Sequence, residues 1–204
     1  MPVTAKDVQT LRKATGAGIM DVKRALTETD GDMDLAKDLL RERGITAAEK
    51  RSERTQSEGT IGMYLHEQAG RPVIGVTVLL ASETDFVAKS EDFQSAANDI
   101  AMHIAASAPK WITVEDVPQA DVDKERDLIA AQAENEGKSS DIVERIVDGR
   151  IKSFYADYVL SEQKFVRSDK FEGTVGAMVT DLAARMGENV SVTAMARLAV
   201  GEEM

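Results

Sequence analysis

The spacing of hydrophobic residues over about the first 45 residues is typical of three short helices. Thr4 can cap the first helix, and Asp7 stands in the position of the acid in a capping box. Glycine-containing turns separate the helices, and Gly44 stands where a glycine commonly ends one. The apolar residues expected to face inward are Val8, Leu11, Val22, Ala25, Leu26, Leu35, Leu39 and Leu40. The pattern therefore predicts a small helical bundle at the start of the chain.

A polar segment from Ala47 to Gly59 follows this predicted bundle. It is dense in charge and lacks large apolar side chains, which is typical of a linker, and its first half can be helical. Whether residues 44–58 form a helix stays open at this point. We expect two domains: a three-helix module with the start of the linker over residues 1–53, and a core domain over residues 54–204.

The pattern then changes to the alternation of β-strands. Apolar residues occupy every second position from Ile61 to Leu65, and the stretch from Val73 to Ala81 is rich in β-branched and apolar residues. Residues 67–72 between them read as a hairpin loop, and positions 190–200 alternate in the same way. These features predict a small antiparallel three-stranded sheet in which the last strand returns to the hairpin.

Helical patterns fill the region between the hairpin and the last strand. One helix is predicted from Ser90 to about Ser107. The others are predicted over residues 121–136, from Ser140 onward, and over residues 173–186. Helices segregated from a small antiparallel sheet define an α+β fold.

Composition narrows the class of protein. The 204 residues carry a formal net charge of −11, with 43% hydrophobic and 30% charged residues, the balance of a soluble globular protein. Such acidity disfavours nucleic acid as the main partner, because proteins that grip phosphates carry basic surfaces. The absence of cysteine excludes disulfides and thiolate metal sites. Because no run is apolar enough for a membrane span or a signal segment, we expect a cytoplasmic protein without a membrane partner.

The sequence has no recognisable catalytic constellation. The glycines of residues 15–18 lack the longer pattern and the following lysine of a phosphate-binding loop, so a helix-to-helix turn explains them better. The two histidines, His66 and His103, would need more partners for a zinc or acid–base site. We therefore expect a binding protein, not an enzyme, with no cofactor or metal of its own.

The segment of Thr84, Asp85, Phe86 and Val87 is unusual because it places an aromatic residue beside a charge, between an apolar strand and a capped helix. Two interpretations fit its spacing. In the first, Phe86 packs into the core and Asp85 supports the turn. In the second, the segment is an exposed loop that offers an apolar wedge and a carboxylate to a partner. Spacing alone favours the first interpretation.

Several strings resemble the signatures of the elongation factor Ts family. They are LRKATGAGIMDVKRAL at residues 11–26, ETDFVAK at residues 83–89, AMHIAA at residues 101–106 and QKFV at residues 163–166. Their order and spacing agree with the family over nearly the whole chain. A single sheet makes the chain similar to the short members, which have one core subdomain.

The resemblance implies a function in translation, as a guanine nucleotide exchange factor that binds elongation factor Tu in its GDP-bound and nucleotide-free states. The loop of Thr84, Asp85, Phe86 and Val87 would then enter the partner. Phe86 would wedge between the partner's helices, and Asp85 would disturb the surroundings of the partner's magnesium ion. The resemblance thus reverses the preference for a buried Phe86.

The resemblance also implies contacts outside this loop. The first helices would be a UBA-like module that docks on the nucleotide-binding domain of the partner through Arg12, Ile19, Met20 and Lys23. His66 corresponds, by its place in its strand, to a further partner contact.

Departures from the family pattern bear on assembly. Val22 stands where many members have cysteine, so no disulfide-linked dimer can form through that position. Short members pair through the sheet region, and a small sheet with unprotected edges has reason to pair. We therefore expect a homodimer that binds two partner molecules.

Two other functions stay open at this stage. A UBA-like adaptor for helical ligands would explain the first helices but leaves the remaining 150 or so residues unexplained. A small acid–base enzyme would have to use His66 or His103. An adaptor would not need Asp85 or Phe86, which separates it from an exchange factor.

Overall fold

The computed structural model describes residues 3–202, apart from the side chain of Glu49. Within these residues the helices are α1 (Ala5–Thr15), α2 (Ile19–Glu28), α3 (Met33–Glu49), α4 (Asp85–Ala88), α5 (Glu91–Ser107), α6 (Gln119–Asn135), α7 (Ser140–Tyr158) and α8 (Val175–Met186). The strands are β1 (Glu58–Gln68), β2 (Arg71–Ser82) and β3 (Ser191–Ala199). The predicted α+β fold, with an N-terminal helical region and a small antiparallel sheet, is confirmed.

The three N-terminal helices pack around one apolar cluster. Thr4 and Asp7 form the predicted capping box at the start of α1. Gly16 ends α1 with φ of 69°, a left-handed conformation that glycine adopts without strain. The buried members of the cluster are Val8, Leu11, Val22, Ala25, Leu26, Ala36 and Leu40.

The third helix differs from the prediction at two positions. Gly44 does not end α3, which continues to Glu49, so the first part of the predicted linker is helical. A Cβ atom at Gly44 would lie 3.0 Å from the Cβ of Ala184, which shows that glycine serves a close approach there. Leu35 is 58% exposed, and Ala36, fully buried, takes its place because Ala36 and Leu40 share a face at i, i+4 spacing.

The chain forms two compact units that are both discontinuous in sequence. The first contains residues 3–60, 80–93 and 179–191, and the second contains residues 61–79, 94–178 and 192–202. The boundary between residues 53 and 54 that we expected from the linker stays a prediction.

The strands form one sheet in the order β1-β2-β3, so β3 returns to the hairpin as predicted. The hairpin turn is tighter than expected, because only Ala69 and Gly70 connect the strands. Their φ values of 51° and 78° are both positive, as a two-residue hairpin turn matched to strand twist requires.

Helix α5 lies directly against β1. A Cβ atom at Gly62 would collide with the carbonyl of Ala97, so the strand and the helix backbone meet without an intervening side chain. The backbone N–H of Met63 donates to Oδ1 of Asn98 at 3.0 Å. Because β1 is an edge strand, this bond satisfies a group that would otherwise face water.

Helices α6 and α7 pack against each other around a second apolar cluster. Its buried members are Val117, Val122, Ile129, Ala133, Val143, Val147, Ile151 and Val159. None of the helices within residues 3–202 is both long enough and apolar enough to cross a membrane.

Candidate functional site

The segment Thr84–Val87 lies between the end of β2 and the start of α5. Thr84 precedes the single turn α4, which starts at Asp85. The turn is closed by backbone hydrogen bonds from Ala88 to Thr84 at 3.2 Å and from Lys89 to Asp85 at 3.0 Å. The predicted loop is thus a helical turn with a defined backbone.

Phe86 is 84% exposed on this turn, whereas Ala88 is buried. The interpretation in which Phe86 packs into the core is therefore wrong. Full burial of a phenylalanine side chain is worth about 1.5–3 kcal/mol. The fold does not use this stabilisation, and the ring is available to a partner.

Asp85 forms an ion pair with Lys89, one helical turn later, at 2.6 Å between Oδ2 and Nζ. The hydrogen bond from Lys89 lowers the pKa of Asp85 below its usual value, and the same bond raises the pKa of Lys89. Both side chains are accessible to water, which screens the attraction between them, so the pair is weak. Lys89 therefore keeps Asp85 in its charged form. Asp85 can leave Lys89 for a polar group of another protein at little cost in free energy.

The segment before Asp85 is held by residues from the turn between α8 and β3. The Glu188 carboxylate accepts hydrogen bonds from the backbone of Glu83 and from Thr84. Asn189 in turn donates its backbone N–H to the Glu83 carboxylate. Sequence reasoning missed these residues, because they lie more than 100 positions from the loop and Gly187-Glu188-Asn189 reads as an ordinary turn.

The N-terminal candidates lie on the surface of the helical bundle. Ile19 and Met20, in the first turn of α2, are 56% and 67% exposed. Lys23 is exposed one turn later, and Arg12 is exposed on α1. The other side of α2 carries the buried Val22. These residues and the Thr84–Val87 segment belong to the same compact unit.

The two histidines differ in their surroundings. His66 is exposed on β1, with its ring 6.4 Å from that of Tyr64. His103 is fully buried in α5, where Nε2 bonds Gln163 at 2.9 Å and the Val166 N–H donates to Nδ1 at 3.2 Å. With both ring nitrogens engaged, His103 has no access to a substrate in solvent.

The acidic side chains do not gather into a metal site in the part of the chain that the structure describes. Among residues 3–202, no group of three or more His, Asp and Glu side chains is arranged to hold a metal ion. Asp99, which is largely buried, instead pairs with Arg167 and Lys170.

Comparison with known proteins finds one family that is similar to this chain over nearly its whole length. It matches the family model described as Elongation factor TS over residues 11–202. It is 48% identical over 202 residues to elongation factor Ts of Alkaliphilus oremlandii (strain OhILAs), which covers 99% of this chain and 91% of that protein. The corresponding protein of Geobacter metallireducens is 47% identical over 203 residues, with coverage of 99% and 91%. That of Thermoanaerobacter sp. (strain X514) is 46% identical over 200 residues, with coverage of 98% and 96%.

Proposed function

Because the chain belongs to the elongation factor Ts family, we propose that it binds elongation factor Tu and accelerates the release of GDP from it. This makes it a translation elongation factor that acts in the cytoplasm without covalent chemistry. Beyond family membership, one observation carries the proposal. Phe86 is 84% exposed on a backbone turn that hydrogen bonds hold in place.

Exchange requires only that the factor bind the nucleotide-free partner more tightly than the GDP-bound partner. By linkage, the factor then weakens GDP binding to the same extent as GDP weakens binding of the factor. A GTPase holds its nucleotide through phosphate contacts and a magnesium ion that offsets the phosphate charge. A factor that displaces the groups around this ion therefore lowers nucleotide affinity.

The Thr84–Val87 turn supplies the displacing element. The Phe86 ring inserts between helices of the partner and gains there the burial that its own fold does not provide. Asp85 exchanges Lys89 for polar groups of the partner and holds them in the displaced arrangement near the magnesium site. In this mechanism Phe86 supplies apolar binding energy, and Asp85 supplies a negative charge close to a cation.

The N-terminal helices, as a UBA-like module, supply affinity away from the displaced groups. Ile19 and Met20 are exposed apolar residues next to the exposed Lys23 on one side of α2, and Arg12 adds a second positive charge. An apolar centre with charged neighbours is the usual composition of a protein-binding surface. This module docks on the nucleotide-binding domain of elongation factor Tu, and His66 on β1 adds a further contact.

The sheet supports the proposal of a homodimer. On β1, Ile61, Met63 and Leu65 are 53%, 65% and 64% exposed. Leu65 lies beside the neighbouring strand, because a Cβ atom at Gly75 of β2 would be 3.4 Å from its side chain. We call Ile61, Met63 and Leu65 the β1 apolar row. Soluble proteins rarely leave such rows uncovered, and a second copy of the chain covers it in a complex of two factors with two partners.

Release of a fluorescent GDP analogue from elongation factor Tu tests the exchange mechanism. Removing a side chain that anchors an interface costs about 2 kcal/mol or more, so Phe86→Ala should lower the maximal release rate by roughly 30-fold or more. Leu128→Ala is the matched control, because Leu128 is an exposed leucine on α6. If Phe86→Ala releases GDP as fast as the parent at saturating factor, the proposed role of the ring is wrong.

A further inference from the structure

The Glu188 carboxylate binds Glu83 and Thr84 at the start of the Thr84–Val87 turn, which we call the exchange turn. Its Oε2 accepts from the backbone N–H of Glu83 at 3.0 Å and from that of Thr84 at 3.1 Å. Its Oε1 accepts from the Thr84 hydroxyl at 2.5 Å. Hydrogen bonds to an ionised acceptor are roughly twice as strong as neutral ones, so this carboxylate fixes the position at which the chain enters α4.

The Thr84 hydroxyl is used in an unusual way. A threonine that precedes a helix normally accepts a hydrogen bond from the first turn. Thr84 precedes α4 in extended conformation but makes no such side-chain cap. Its hydroxyl donates to Glu188 instead. The contact therefore fixes where the turn sits rather than stabilising the turn itself.

Asn189 extends the same arrangement to the segment after α3. Its backbone N–H donates to Oε1 of Glu83 at 2.7 Å. Its side-chain amide, largely buried, donates to the carbonyls of Ser52 at 2.9 Å and Arg54 at 2.7 Å. Arg54 also lies 3.6 Å from the Glu83 carboxylate. Asn189 thus joins two parts of the chain: its side-chain amide binds the segment after α3, and its backbone N–H binds Glu83 at the base of the exchange turn.

We propose that Glu188 and Asn189 are positioning residues for the exchange reaction, which hold the Thr84–Val87 turn in a fixed place relative to the Ser52–Arg54 segment. This inference rests on the proposed function of that turn. Neither residue needs to touch the partner. Their effect is to remove, before binding, the conformational freedom that would otherwise be lost when Phe86 inserts.

The predicted consequence is a selective loss of maximal rate. Glu188→Ala should lower the maximal rate of GDP release at saturating factor by about tenfold, equivalent to ~1.4 kcal/mol. The half-saturating concentration should change less than about twofold, because the N-terminal surface still supplies the affinity that this concentration reports. Glu188→Gln should recover most of the rate, since its amide oxygen can still accept the two backbone hydrogen bonds. Asn189→Ala should show a smaller loss, since its backbone donor remains.

The experiment uses the full chain, elongation factor Tu and a fluorescent GDP analogue, with Glu144→Ala on α7 as the matched control. The fraction of folded protein at the assay temperature is measured for every variant. If Glu188→Ala is unfolded, the rate of Asn189→Ala tests the positioning role instead. A double-mutant cycle with Phe86→Ala gives the specific readout. If Glu188 acts by positioning Phe86, Glu188→Ala should have little further effect in the Phe86→Ala background.

The outcomes separate the two ideas. Suppose that Phe86→Ala loses rate while Glu188→Ala and Asn189→Ala keep the parental rate. The role of Phe86 then stands, and the positioning role is wrong. Fully additive effects in the cycle, or a loss confined to the half-saturating concentration, overturn it as well. A parental maximal rate in Phe86→Ala would instead show that the proposed role of the Phe86 ring, on which the positioning role rests, is wrong.

Discussion

The side chain of Phe86 is exposed to solvent, and hydrogen bonds fix the backbone before and after this residue. Glu188 binds the chain before it, and the Ser90 hydroxyl donates to the carbonyl of Val87 after it at 2.8 Å. An exposed aromatic residue on a rigid support loses little conformational entropy on binding, whereas a mobile loop would lose about 1–2 kcal/mol per residue ordered. The rigidity of the turn therefore matters as much as the chemistry of its residues.

The Asp85–Lys89 pair makes a prediction about pH. Because the hydrogen bond from Lys89 lowers the pKa of Asp85, Lys89→Met should raise that pKa towards its usual value. The sign follows from linkage. In the parent, the pKa of Asp85 is lower in the folded chain than in the unfolded chain. Charged Asp85 therefore stabilises the fold at pH values above the pKa of the unfolded chain, and this stabilisation is lost as pH falls through the pKa of the folded chain. NMR titration of the Asp85 carboxyl carbon measures the shift.

A matched control is Lys152→Met on α7, which removes an exposed lysine elsewhere and should leave the Asp85 titration unchanged. An Asp85 pKa that is the same in the parent and in Lys89→Met would show that the pair does not form in solution.

His103 makes a second prediction at this scale. Burial lowers its pKa, against the smaller opposing effect of the hydrogen bond with Gln163. As pH falls, a histidine in the unfolded chain, with a pKa of about 6.5, takes up its proton before His103 does in the folded chain. The free energy of unfolding should therefore fall as pH drops below about 6.5. Urea unfolding between about pH 7.5 and pH 5, above the range of most carboxylates, measures this decline.

His66→Gln provides the control for His103, because it removes the other histidine of the chain and should keep the decline. A free energy of unfolding that stays constant over this pH range would contradict the buried neutral state. The structure explains that state: protonation of Nδ1 would break its bond with the Val166 N–H.

At the scale of elements, the helices and strands were predictable because their signals are local. The alternation around Ile61–Leu65 and the capping residues Thr4 and Asp7 act over a few positions. The role of Gly44 was not predictable, because the residue that requires it, Ala184, lies on a distant part of the chain. A glycine at the end of a helix and a glycine at a helix crossing look the same in one sequence.

Gly62 allows a direct test of such close approaches. Gly62→Ala places a methyl group against the backbone carbonyl of Ala97, which cannot rotate away as a side chain could. Overpacking of this kind typically costs about 1–3 kcal/mol, so the free energy of unfolding should fall by about that amount in urea titrations.

The control for Gly62 is Gly149→Ala in α7, where a Cβ atom would meet nothing within 4 Å. Alanine is favoured over glycine inside a helix by about 0.8–1 kcal/mol, so this variant should be more stable than the parent. If the two substitutions changed the free energy of unfolding equally, the distance between β1 and α5 would have to be larger than in the structure.

At the scale of the whole molecule, one sequence shows which residues are apolar but not which of them the fold leaves uncovered. The alternation around Met63 predicted a strand, and in general the apolar side of such a strand is the buried one. In the structure the apolar side chains of Ile61, Met63 and Leu65 are exposed, whereas Gly62, between Ile61 and Met63, is buried because it meets α5. The strand buries its small residue against a helix and leaves its large ones exposed, as the proposed interface between two chains requires.

Met63→Glu tests this interface. If the β1 apolar row pairs two chains, a buried unpaired carboxylate should weaken the dimer by about 3 kcal/mol or more, which is over a hundredfold in the dissociation constant. Light scattering after size-exclusion chromatography should then give the mass of one chain, whereas Leu128→Glu on α6 should keep the parental mass.

Because Met63 is 65% exposed within one chain, the free energy of unfolding of an isolated chain should hardly change. A Met63→Glu protein that stays dimeric, or a parent that is monomeric at the same concentration, would contradict pairing of two chains through the β1 apolar row.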